Sequence, residues 1–97
     1  MESYQRAHLR ALAHELKPVV IVGQAGVTEE LLAATKVALF DHELIKVRLQ
    51  RPEDKSAFAE QLATGTDSTL CGLVGHTVIL YRRHPEKPRI HVPVRVK

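Results

Sequence analysis

The chain has 97 residues, 44% of them hydrophobic and 4% aromatic, with a formal net charge of +3. That length supports one core and excludes a two-domain arrangement. A lone cysteine, Cys71, cannot close an internal disulfide, and no leader or apolar run of membrane length is legible, so a soluble protein of the reducing cytoplasm is expected. Residues 3 to 16 read as a helix with Ser3 as its cap. Leu9, Leu12, Ala13 and Leu16 form its core face, and Arg6, Arg10, His14 and Lys17 form a basic stripe on the other side. Such a stripe is either a solvated face or a contact for an anion.

Pro18 stops that helix, and the β-branched run Val19 to Val22 reads as a buried strand. Gly23 and Gly26 follow, then Thr28 as the N-cap of a second helix over 28 to 40. Glu29 and Glu30 fall in its first turn, and Val27 and Leu32 are placed to staple it. A G-x-x-G between strand and helix is either a plain tight turn or a loop whose backbone amides donate to a phosphate. Leu31, Leu32, Thr35, Ala38 and Leu39 line the helix's inner side.

Glu43 to Leu49 alternates as a strand, with Ile45, Val47 and Leu49 on one face and Leu44, Lys46 and Arg48 on the other. Desolvating two like charges together is costly, so the Lys46 and Arg48 face is solvated or faces a ligand. Pro52, Glu53 and Asp54 open a third helix, whose apolar face holds Phe58 and Leu62 and which ends at Gly65. Thr69 to Leu73 and Thr77 to Arg82 form a hairpin. The second G-x-x-G, Gly72 to Gly75, is read as a strand bend and turn rather than a ligand loop.

The charge is unevenly spread. Residues 1 to 81 hold eight Lys or Arg against ten Asp or Glu, whereas Arg82, Arg83, Lys87, Arg89, Arg95 and Lys97 face only Glu86. This segment is either a solvated extension or a surface for a polyanion, and its IHVPVRV stretch is compatible with an edge strand. With so few aromatics the chain lacks a base-stacking platform, so any nucleic acid would be held by its phosphates and shape. The expected division is a domain over 1–83 and a basic, proline-containing tail over 84–97.

The order αβαβαββ defines a single-domain α/β sandwich with a four-stranded mixed sheet, whose strand order the sequence leaves open. Three ordered blocks, LAHELKPVVIVGQAGVTEELL at 12 to 32, HELIKVRL at 42 to 49 and ILYR at 79 to 82, closely resemble the CRM domain, named for chloroplast RNA splicing and ribosome maturation. The stand-alone bacterial form of that domain is the YhbY family. The resemblance runs from about Gln5 to Arg82. It implies a fold similar to the C-terminal domain of translation initiation factor three. It also implies RNA binding, directed to large-subunit ribosomal RNA or precursor particles during ribosome assembly.

By the same resemblance the RNA-contacting loop, comparable to that of KH domains, is Gly23, Gln24, Ala25 and Gly26. Lys46, continued by Arg48, matches the family's basic strand, and Lys17 and Arg82 match basic positions flanking the first and last strands. Arg6 and Arg10 are added as peripheral contacts. No cofactor or metal is expected: the six histidines are dispersed, with no H-x-x-x-H pair. Nor is an enzyme, because His42 and Glu43 are adjacent on a strand and point to opposite faces. A monomer is expected. The rival reading is a protein-interaction module whose tail adds a strand to an assembly partner.

Overall fold

Seven elements form in the expected order: α1 (Ser3–Ala13), β1 (Val20–Val22), α2 (Glu29–His42), β2 (Leu44–Leu49), α3 (Lys55–Gly65), β3 (Thr69–Val74) and β4 (Thr77–Tyr81). The computed structural model describes residues 1–94; Arg95, Val96 and Lys97, with two of the tail cations and the end of the expected edge strand, lie outside them. The strands make one mixed sheet ordered β1-β2-β4-β3. β1 is parallel to β2, and both other pairs are antiparallel.

Strand alternation sends Val20, Val22, Ile45, Val47, Leu49, Val78 and Leu80 to one face, where Leu39 of α2 and Ala59 and Leu62 of α3 complete the main core. The other face carries a smaller cluster: Leu9 and Ala13 of α1 pack on Leu44, Cys71, Ile79 and Tyr81. Thr28 caps α2 as the sequence indicates, its hydroxyl accepting from the Leu31 N–H at 3.1 Å. Asp54 caps α3 in the same way, accepting from Ala57 N–H at 3.1 Å, so that helix starts at Lys55 rather than at Pro52.

Three expectations are corrected. Glu2, not Ser3, is the N-cap of α1, its backbone N–H donating to the Gln5 side chain at 2.8 Å. The helix also stops at Ala13, where a turn closed by Leu16 N–H to Ala13 O redirects the chain toward β1, so Leu12 and Leu16 stay 45% and 40% exposed. And β1 is not buried on both sides. It is a three-residue edge strand, and α1 lies across the other three strands, leaving Val19 and Ile21 half exposed. Short edge strands limit unwanted pairing.

The GLVG segment bends as read: the β3 to β4 register slips between Leu70 and Gly72, and Gly75 turns the hairpin at φ +58°. The extra residue, Cys71, points into the smaller core. Burial pushes its thiol from 9.0 up to about 11, against the pull of Arg10 and Arg6. Burial, and then Glu43, also raise the Tyr81 hydroxyl above its ordinary 10.0. A raised folded-state value means that the unfolded thiol ionises first. The stability this group contributes is therefore complete below pH 9 and is lost as the pH rises to about 11. The loss for Cys71 is about 2 kcal/mol. Melting curves between pH 8 and 11 are expected to fall less steeply for Cys71→Ala; equal slopes would remove the thiol from this account.

The tail is attached to the body through a residue whose role the sequence does not announce. Glu43, between α2 and β2, is fully buried and holds φ +64° and ψ −48°, close to the rare, strained γ-turn geometry. Its backbone bridges the elements: its N–H donates to Leu39 O at 2.8 Å, and its carbonyl accepts from Arg82 N–H at 2.9 Å. Its carboxylate accepts from the backbone N–H groups of His84, Arg89 and Ile90. Ile90 and Val92 then cover the smaller core, and Gln5 Nε2 donates to Pro93 O at 3.1 Å. Residues 90–94 form no strand, contrary to the edge-strand expectation, because their path follows these side-chain anchors rather than a sheet edge.

Candidate nucleic-acid interface

Gly23 to Gly26 form a tight turn closed by the Gly26 N–H donating to Gly23 O at 3.1 Å. Gly26 lies at φ +72°, a left-handed backbone that favours glycine, and the Phe58 ring lies beneath it. Gly23 differs. Its φ is ordinary, and a Cβ there would meet nothing nearer than the Gln50 side-chain oxygen at 4.0 Å. The fold makes no demand for glycine at this position, so what a bare backbone offers there is close approach from outside. The Gly26 and Leu31 amides are already used by Gly23 O and Thr28 Oγ1. Gln24 and Ala25, both exposed, occupy the two central positions of the turn.

The sheet places cations beside this turn. Ile21 of β1, Arg48 of β2 and Thr77 of β4 stand in register on the face that α1 covers only in part. The hairpin tip is drawn in by Leu49 N–H donating to His76 O at 2.7 Å. The result is an open cleft of about 680 Å³ lined by Ile21, Gln24, Arg48, Gln50, Arg51 and His76. Arg51 holds φ +47°, a left-handed backbone that costs a non-glycine residue about 1–2 kcal/mol. Alongside lies a smaller indentation of about 160 Å³, lined by Arg10, His14, Lys46 and Val74 among others. There Lys46 Nζ donates to His14 O at 3.2 Å, and Arg10 donates to Cys71 O at 2.7 Å with its methylenes lying over Gly72.

Gln24 and Arg48 thus share one cleft, and Lys46 and Arg10 flank it. The remaining candidates lie elsewhere. Lys17 sits before β1 in an apolar groove with Leu12, Leu16 and Val19. Arg82 follows β4 at the opposite end of the sheet from the turn, donating to Thr66 O at 3.4 Å and 4.0 Å from the Asp67 carboxylate. Arg6 folds back onto the Met1 carbonyl. Arg51 and His76 escaped sequence reasoning because only the β2 to β4 pairing brings their loops together; the local signal was no more than a cation just past a basic strand.

Among the described residues, no group of three or more His, Cys, Asp or Glu side chains is placed to hold a metal ion, and no helix is long and apolar enough to cross a membrane.

A small α/β domain with a glycine turn at the edge of a basic sheet face is the class these features define. The CRS1 / YhbY (CRM) domain pattern matches residues 1–82. The chain belongs to this family. It is 39% identical over 84 residues to the probable RNA-binding protein PA4753 of Pseudomonas aeruginosa, covering 84% of this chain and 81% of that protein. It is 37% identical over 91 residues to the probable RNA-binding protein YqeI of Bacillus subtilis, covering 92% and 95%. The solution structure of the Staphylococcus aureus protein SAV1595 superposes with a TM-score of 0.84 at 32% identity, covering 96% of this chain and 99% of that one.

Proposed function

We propose that the chain binds structured RNA by its backbone at the face formed by the Gly23 to Gly26 turn, Lys46, Arg48 and Arg51. The observation that carries this reading is Gly23, a glycine that neither backbone angle nor internal packing requires, at the rim of a cleft lined by Gln24, Arg48 and Arg51. The bacterial relatives, named as probable RNA-binding proteins, support RNA as the ligand. The turn amides of Gln24 and Ala25 donate to phosphate, and the cations neutralise neighbouring phosphates. The first turn of α2 contributes little, because Thr28 Oγ1 already takes the Leu31 N–H and the carboxylates of Glu29 and Glu30 there repel an anion. Binding of this kind is strongly salt dependent and weakly selective for sequence.

Large-subunit ribosomal RNA or a precursor particle, bound in the cytoplasm by a monomer, is the ligand and setting that the family resemblance supports. Ultraviolet crosslinking of the tagged protein in cells, with sequencing of the recovered RNA, tests both parts. Reads concentrated on large-subunit ribosomal RNA are expected, and Ala25→Asp, which places a carboxylate at an exposed turn position, is expected to reduce them at least tenfold. Full recovery by a folded Ala25→Asp protein would remove the turn from the interface. Reads spread over unrelated RNAs would remove the ribosomal assignment.

A further inference from the structure

Residues 82 to 94, the end of the domain and the described part of the tail, hold four cations, Arg82, Arg83, Lys87 and Arg89, against one carboxylate, Glu86. A segment this polar, broken by Pro85, Pro88 and Pro93, buries little and would ordinarily stay loose. Here it is fixed along its length. Besides the Glu43 and Gln5 anchors, His84 Nδ1 accepts from the Glu86 and Lys87 N–H groups at 3.1 and 2.9 Å, and the His84 ring lies 4.4 Å from that of Phe40. Arg89 ties inward, donating to Asp41 O beside Glu43. Arg83 and Lys87 are exposed and, among the described residues, have no ion-pair partner.

We propose that this pinned tail is a second RNA-backbone surface, centred on Arg83 and Lys87, so that the protein holds two separate stretches of phosphate. The inference rests on the RNA reading above. The two surfaces stand at opposite ends of β2, whose six residues span about 17 Å at the usual strand rise. Between His84 and Ile90, strand addition to a protein partner is disfavoured by the backbone itself. The N–H groups of His84, Glu86, Lys87, Arg89 and Ile90 are all engaged, and the three prolines have none. What the tail offers outward is positive charge on an already ordered backbone, which lowers the ordering cost of binding.

The test compares the full chain with Arg83→Ala/Lys87→Ala, Lys46→Ala/Arg48→Ala and the fourfold variant. Each is titrated with a large-subunit ribosomal RNA transcript across a range of salt concentrations. Neither Arg83 nor Lys87 side chain takes part in the anchoring bonds, so the tail variant is expected to melt like the parent. Its slope of log affinity against log salt is expected to fall by about one unit or more, with at least tenfold weaker binding at 0.1 M salt, and the fourfold variant to lose the sum. A tail variant with parental slope and affinity beside a weakened Lys46→Ala/Arg48→Ala protein would overturn the second surface and leave the first standing. Loss in the tail variant alone would overturn the two-surface arrangement and the turn-side reading together. No change in any variant would overturn RNA-backbone binding itself.

Discussion

Replacing Lys46 and Arg48 together by alanine is expected to weaken RNA binding roughly 25- to 60-fold at 0.1 M salt and to lower the log–log salt slope by about 1.4 to 1.8. The magnitude follows from two released phosphate contacts, each worth about 0.7 to 0.9 of slope depending on whether the RNA is single- or double-stranded. Both side chains sit on the open half of the α1-side face, Arg48 exposed and Lys46 partly buried against His14. Neither supports the main core, so the fold should be retained. Loss of affinity with an unchanged slope would mean that the substitutions disturb the face without removing a phosphate contact. An unchanged affinity would place the RNA elsewhere.

The largest expected stability effect lies at Glu43. Glu43→Ala removes the acceptor for the His84, Arg89 and Ile90 amides and frees the segment that covers Leu44 and Tyr81. Hydrogen bonds to a charged group are each worth about 1.5–3 kcal/mol, but the released tail regains water as a partner, so a net loss of about 3 kcal/mol is expected. That corresponds to a melting temperature lower by roughly 12–24 °C for a domain of this size. Glu43→Gln keeps a neutral acceptor and should cost less. Glu43→Gly discards the same bonds but relieves the φ +64° backbone, so it should be about 1 kcal/mol more stable than the alanine variant. Trypsin cleavage after Arg83 and Arg89 should accelerate in Glu43→Ala. A parental melting temperature would show that the tail is held without Glu43.

The local grammar of the sequence was informative. Thr28 capped the helix it preceded, Ile45, Val47 and Leu49 shared the buried face their alternation implied, and Gly75 turned the hairpin. These are choices made within a few residues of chain. Long-range partners were not legible. The 3–4 spacing of Leu9, Leu12, Ala13 and Leu16 continues past Ala13, but the chain must turn there for Val19 N–H to reach Lys46 O at 3.1 Å. The anchoring role of Glu43 was not legible because its three amide partners lie more than forty residues away. In the candidate cleft, the turn and Arg48, with Lys46 beside them, are the parts the sequence singled out, whereas Arg51 and His76 join only once β2 meets β4, and Lys17 and Arg82 lie outside it.

The open edge of the sheet gives those cations a second consequence. β1 ends the sheet with Val19 and Ile21 half exposed, and Ile21 pairs directly with Arg48. A bare apolar edge of that kind invites another copy of the chain to stack on it, and flanking positive charge opposes such stacking by repulsion. Arg48, proposed above to meet phosphate, therefore also stands where its charge would oppose such stacking. Neutralising Arg48, by substitution or by high salt, is expected to weaken RNA binding and self-repulsion together.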